Sequence, residues 1–233
     1  MDNVKKGTLY GVSVGPGDPE LMTLKAVRCM EQCPVLAAPQ TAAGRMLALD
    51  IAKGAVDVSG KIILPLHFAM SRDPEVLKAS HAAAADAVRA HLDAGRDVAL
   101  LNLGDVSIYA TYGYLEEILK AQGYAAVRIA GVPSFCAAAA RLGQSLTGGM
   151  EQPLTIAPGR HVEQVLAAPG AKVLMKTGRS LPKTLDALRE RGLLANSAMV
   201  CNCGLPDEAV FPALTDYDPA QDAGYFATIL VKE

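Results

Sequence analysis

The segment Gly11-Val12-Ser13-Val14-Gly15-Pro16-Gly17-Asp18-Pro19-Glu20-Leu21 constrains the fold more than any other stretch of the chain. It follows an apolar run, Thr8 to Val12, and precedes an apolar-periodic run, Leu21 to Met30. That order reads as strand, glycine-rich turn, helix. Glycines let the backbone approach a ligand with no Cβ in the way. Asp18 is placed to cap the helix, Pro19 fits its first turn, and Glu20 complements the N-terminal dipole. The turn matches neither common nucleotide loop. The dinucleotide fingerprint G-x-G-x-x-G has one residue in its first gap where this chain has three, and the closing Gly-Lys-Ser/Thr of a P-loop is absent. The turn is also acidic and repels phosphate. Two readings are open: a ligand not held by its phosphates, or a plain tight strand-helix turn.

The rest of the chain alternates strand and helix signals. Strands are expected at Pro34 to Ala38, Lys61 to Leu64, Asp97 to Leu101 and Ala125 to Ile129. The clearest helix runs from Pro74 to Ala94, with Asp73 as N-cap and Gly95 as its stop; another runs from about Ala110 to Gln122. Such alternation implies a mostly parallel sheet with helices on its faces, and ligands in such sheets bind beyond the carboxyl ends of the strands. After Gly143 the segment Gln144 to Gln152 reads as a connection. Further strands are expected at Leu154 to Ala157, Ala171 to Met175, Ala198 to Cys201 and Tyr225 to Val231, with helices at about His161 to Ala167 and Leu181 to Arg191. The expected organisation is two α/β domains, 1–131 and 132–233, each with a mixed or mostly parallel sheet.

Composition narrows the function classes. With 233 residues, 51% hydrophobic and 20% charged, the chain can bury a substantial core. A formal net charge of −2 gives no nucleic-acid surface. No run of about 18 uncharged apolar residues predicts a membrane span. The start, Met1-Asp2-Asn3-Val4-Lys5-Lys6, leads into a strand and has no signal-peptide pattern, so a cytoplasmic protein is expected. Cys29, Cys33, Cys136, Cys201 and Cys203 are an odd set that fits neither a disulfide framework nor zinc-ligand spacing, and they read as buried reduced thiols. The histidines, His67, His81, His91 and His161, form no metal cluster in sequence.

Two further turns resemble the first in kind. Leu103-Gly104-Asp105-Val106-Ser107-Ile108-Tyr109 follows a buried strand and precedes a helix. Its carboxylate can accept hydrogen bonds from hydroxyls or an amine. Ala130-Gly131-Val132-Pro133-Ser134-Phe135 repeats the order, with Ser134 able to cap the helix or meet a ligand. Singly, each is a turn glycine, a turn aspartate or a capping serine. Together on one side of a parallel sheet they point to a shared small-molecule cleft.

These three loops resemble the signature loops of the tetrapyrrole methylases, S-adenosylmethionine-dependent enzymes that methylate uroporphyrinogen III and precorrins. The resemblance covers nearly the whole chain. Within the family, Pro39-Gln40-Thr41-Ala42-Ala43-Gly44-Arg45, Leu66-His67-Phe68-Ala69-Met70-Ser71-Arg72-Asp73, Ile108-Tyr109-Ala110-Thr111-Tyr112 and Ser134 to Gly143 are similar to the subgroup that methylates C-20 of precorrin-2 or cobalt-factor II. The family usually has proline where this chain has Val106 and Ala130.

The resemblance implies two α/β domains, a homodimer, and S-adenosylmethionine in a cleft between the domains, with S-adenosylhomocysteine as product. Carried over by position, the cofactor contacts are Pro16, Leu103, Gly104, Asp105, Ile108, Pro133, Ser134, Met175, and Cys203 or Gly204. Asp105 would take ribose hydroxyls or the methionine ammonium, while Ile108 and Met175 would line the pocket. Arg45, Arg72 and Lys176 are candidate anchors for the carboxylates of the tetrapyrrole. Tyr109, Tyr112 and His67 are candidates to remove the meso proton. Methylation at another ring carbon, or a non-catalytic nucleotide-binding module, are the rival readings at this stage.

Overall fold

A computed structural model describes residues 5–219 and 225–232 of the chain. The start Met1 to Val4, read above for a signal pattern, lies outside the described residues. The chain divides into two compact units, Met1–Pro133 and Ser134–Glu233.

The first unit is a five-stranded sheet in the order β3-β2-β4-β1-β5. Its strands are β1 (Leu9–Ser13), β2 (Val35–Pro39), β3 (Ile62–Leu66), β4 (Val98–Asn102) and β5 (Ala126–Ile129), and every pairing is parallel. Strand β4, Val-Ala-Leu-Leu-Asn, is buried throughout, the near-continuous apolar pattern of a strand covered on both faces. The covering helices are α1 (Leu24–Gln32), α2 (Leu47–Ala52), α3 (Pro74–Asp93) and α4 (Tyr112–Ala121). Helix α3 starts as its sequence predicts: Asp73 accepts from the Glu75 N–H and Pro74 occupies the first turn. It buries Ala84, Ala85, Val88 and Leu92 in one core with Leu115 and Leu119 of α4. Each such Val or Leu side chain contributes about 1.5–3 kcal/mol of burial. The outer strand β3 carries Pro65, opposite Ala38 of β2.

The second unit opens with α5 (Ser134–Arg141) and has its own sheet, in the order β6-β7-β10-β8-β9. The strands are β6 (Leu154–Pro158), β7 (Ala171–Met175), β8 (Ser197–Cys201), β9 (Ala209–Phe211) and β10 (Ala227–Val231). Strands β6 and β7 are parallel, β10 runs antiparallel to both β7 and β8, and β9 is antiparallel to β8. Helices α6 (Val162–Ala167) and α7 (Leu181–Glu190) pack Val162, Val165, Leu185 and Leu188 onto Leu174, Met199 and Ile229.

Three expectations need correction. The first helix does not start at Asp18: that residue caps a single 3-10 turn, Pro19–Leu21, the chain straightens at Met22, and Thr23 caps α1 through the Ala26 N–H. Asp18 and Pro19 are strong local signals for one turn, and the second cap outcompetes them for the helix proper. Helix α2 and strand β9 were not expected at all. Cys136 is exposed, whereas Cys29, Cys33, Cys201 and Cys203 are buried.

Candidate active site

Because all five strands of the first sheet are parallel, the turns after β1, β4 and β5 leave the same edge, and those strands are neighbours. Two side chains stitch the turns together. Ser13, fully buried at the end of β1, donates to the Ile129 carbonyl at 2.8 Å and accepts from the Val106 N–H at 2.8 Å. Asp105 accepts at Oδ1 from the Ser107 N–H at 2.8 Å and from the Ser107 hydroxyl, and at Oδ2 from the Gly131 N–H at 2.7 Å. The backbone adds the Gly104 N–H to the Gly15 carbonyl at 2.8 Å. Gly131 lies so close that a Cβ there would sit 2.3 Å from the Ser13 Cβ and 2.9 Å from the Gly104 carbonyl oxygen. Any side chain at 131 would pry the turns apart.

Asp105 is therefore first an internal staple. Burial pushes its carboxyl up, but the Ser107 hydroxyl, the Gly131 and Ser107 N–H groups and the Arg128 charge outweigh burial and hold it below the usual carboxylate range. A carboxylate has about four acceptor positions. Three are taken here, which leaves one for a ligand N–H or O–H. In the same turns the apolar residues Pro16, Leu103, Ile108 and Pro133 are half-buried. None of the turns Gly11 to Leu21, Gly104 to Thr111 and Gly131 to Ser134 contains Lys, Arg or His.

The remaining first-unit candidates divide. Tyr112 is fully buried, its hydroxyl donates to the Val127 carbonyl at 3.1 Å, and burial raises its phenol above the ordinary range. It packs under Gly11 and is no base. Tyr109 is 44% exposed and holds a positive φ of 49°, a conformation costly for a non-glycine residue. His67, Arg45 and Arg72 are exposed on the turns after β2 and β3, at the same sheet edge. Arg45 Nε lies 3.9 Å from Asp50, a solvated pair that leaves it available.

In the second unit, β6, β7 and β8 all end at one edge, because β10 is antiparallel to both β7 and β8. Met175, Lys176, Cys203 and Gly204 gather there. Met175 and Cys203 are buried, and Lys176 and Asn202 hold positive φ angles of 51° and 50°. Ser134 does not act as a helix cap: its hydroxyl meets that of Thr228 on β10 at 3.2 Å. Ser13, Thr228, Arg141 and Glu208 were missed by sequence reasoning. For Ser13 the signal was present, a polar residue between Val12 and Val14 at the end of a buried strand. For the others the pairs Ser134 with Thr228 and Arg141 with Glu208 span 94 and 67 positions, too many to match by inspection. Among the described residues no group of three or more His, Cys, Asp or Glu could hold a metal, and no helix is long and apolar enough to cross a membrane.

The chain is thus an α/β protein of two units, the first carrying three stitched turns, uncharged to acidic, along one sheet edge. Residues 8–216 match the family Tetrapyrrole (Corrin/Porphyrin) Methylases, and the chain belongs to it. The precorrin-2 C(20)-methyltransferase of a Sinorhizobium species is 34% identical over 99% of this chain and 97% of its own length. The cobalamin biosynthesis protein CobIJ of Mycobacterium tuberculosis is 34% identical over 89% of this chain, which spans only 43% of that relative. A putative cobalamin synthesis related protein (CobF) from Corynebacterium diphtheriae has the same fold, with a TM-score of 0.74, 19% identity, and coverage of 98% and 99% of the two chains.

Proposed function

We propose that this protein transfers a methyl group from S-adenosylmethionine to C-20 of precorrin-2 or its cobalt-bearing counterpart, in cobalamin biosynthesis. The observation that carries this reading is the stitched edge of the first unit, in a chain whose full-length relative has that name. The residues fit the cofactor: glycine turns admit its backbone-bound parts, Leu103 and Ile108 offer apolar contact, and Asp105 keeps one acceptor position for a hydroxyl or the ammonium. The absence of basic residues in the turns suits a ligand without phosphate. We assign Pro16, Leu103, Gly104, Asp105, Ile108 and Pro133 of the first unit, and Ser134, Met175, Cys203 and Gly204 of the second, as cofactor contacts.

When bound, S-adenosylmethionine supplies a methyl sulfonium that is already an electrophile. The tetrapyrrole meso carbon is a nucleophile by conjugation. The protein's task is then alignment and exclusion of water, effects that reach about 7–11 kcal/mol in well-oriented reactions. Arg45, Arg72 and Lys176 anchor the substrate carboxylates. The meso proton leaves to water or to an exposed group at the edge, Tyr109 or His67. We further propose a cytoplasmic homodimer, which would cover part of the surface that includes Met70, 93% exposed, and Tyr114, 54% exposed. Light scattering should give twice the 24.3 kDa chain mass.

The test is turnover with metal-free precorrin-2 and with the cobalt complex, the methylated carbon being located by NMR. A C-20 product with either substrate supports the reading. Methylation at another carbon, or none with either, refutes it.

A further inference from the structure

The loop after β8 has an anchoring system that the proposed chemistry does not use. Asn202 stands in the left-handed region at φ 50° and Gly204 follows at φ 77°. Asn202 is tied at its N–H to the Phe226 carbonyl at 3.2 Å and at its side-chain Nδ2 to Asp207 at 2.9 Å. The loop closes through the Leu205 N–H to the Asn202 carbonyl at 2.9 Å and the Glu208 N–H to the Leu205 carbonyl at 3.0 Å. Glu208 then reaches back. Its Oε2 accepts from the Gly204 N–H at 2.8 Å, and its Oε1 accepts from Nε of Arg141, the last residue of α5. The Glu208 side chain is 16% exposed and that of Arg141 60%. The ion pair alone is therefore of the weak, solvated kind. What the pair does is geometric. It holds one carboxylate oxygen on the amide of Gly204, a residue in the left-handed region.

The geometry points to Glu208 as a positioning residue for the cofactor: through the Gly204 N–H, and aimed by Arg141, it sets the Asn202–Gly204 turn. This rests on the assignment of Cys203 and Gly204 as cofactor contacts. It also gives α5 two tasks. Its first residue, Ser134, is an assigned contact, and its last, Arg141, fixes the turn that holds two more. A helix of eight residues is a rigid spacer of about 1.5 Å per residue, so it sets the separation of Ser134 from Arg141.

The experiment separates positioning from simple stability. Variants E208A, E208Q and the charge swap R141E/E208R are compared with the parent by calorimetric titration of S-adenosylmethionine and by thermal melting. E208A should weaken binding about tenfold, as expected for an amide deprived of a charged acceptor. E208Q keeps an oxygen for the Gly204 N–H but offers no acceptor to Arg141, and should recover only part of that loss. The charge swap should recover the melting temperature but not the affinity, because an arginine at 208 accepts nothing from Gly204. Affinity that follows the melting temperature across the three variants, or that is unchanged in E208A, overturns the proposal. Amide hydrogen exchange at Gly204 in the ligand-free protein reads the clamp by itself: fastest in E208A and the swap, intermediate in E208Q. Equal protection in all refutes the clamp. A parent protein that binds no S-adenosylmethionine while Gly204 exchange follows this order refutes the cofactor assignment and leaves the clamp standing.

Discussion

At Asp105 one carboxylate joins two turns separated by 26 positions, through Ser107 and Gly131. Removing it leaves two N–H groups without their acceptor at a part-buried site. Asp105→Ala should therefore cost about 1–3 kcal/mol of stability before any ligand is added. Urea unfolding of the ligand-free variant checks this, and unchanged stability would show that the turns hold without the staple. The group also sets a pH dependence. Its folded-state carboxyl lies below the ordinary value of about 4, so its bonds contribute fully above that value and are lost as pH falls through the lower, folded one. Stability should drop below about pH 4, and Asp105→Asn should flatten that drop; parallel curves for the two proteins would assign the acid transition elsewhere. Arg45 makes a contrasting case. It is exposed and only loosely paired, so Arg45→Ala should leave stability within about 0.5 kcal/mol. Steady-state kinetics should show a raised KM for the tetrapyrrole with cofactor affinity retained.

Between elements, β1 meets α4 at close range. A Cβ at Gly11 would sit 2.5 Å from the Tyr112 ring, which is fully buried and has no room to retreat. Gly11→Ala should cost about 1–3 kcal/mol by overpacking. Adding Tyr112→Leu should then cost less than the two single changes summed, because the leucine vacates the space. Strict additivity in denaturant melts would mean that the helix moves instead. The strands of this unit were legible because they are short, mostly apolar runs between turn signals, and α3 because Asp73, Pro74 and the downstream Gly95 mark both ends. Helix α2 was not legible: it has six residues, and Met46 at its cap makes no side-chain hydrogen bond. Strand β9 has three residues and exists through pairing with β8, a contact that local sequence does not encode. The glycine turns of the site could be read. The long-range partners, Ile129 and Val106 for Ser13, Gly131 for Asp105 and Arg141 for Glu208, could not, because bonds across 26 or more positions follow from the folded path and not from spacing.

On the scale of the whole chain, each unit has its own sheet and its own buried cluster, one around Leu100 and Leu115, the other around Leu174 and Ile229. A lesion in one should stay there. Hydrogen exchange of Gly11→Ala should show faster exchange in β1 and β4 with β7, β8 and β10 as protected as in the parent; loss of protection in both sheets would make the chain a single cooperative unit. The outer strand β3 has a separate consequence. The Ile62 N–H donates to Pro34 and the Leu66 carbonyl accepts from Gln40, so even-numbered positions of β3 face β2 and Pro65 falls on the open side. An open strand edge is a template on which another chain can add. Pro65 has no N–H to offer it, and its ring obstructs an approaching strand. Restoring an amide there, as in Pro65→Val, should shorten the lag before turbidity in a concentrated, warmed solution: one imino acid at the rim keeps crowded copies of this protein from growing into aggregates.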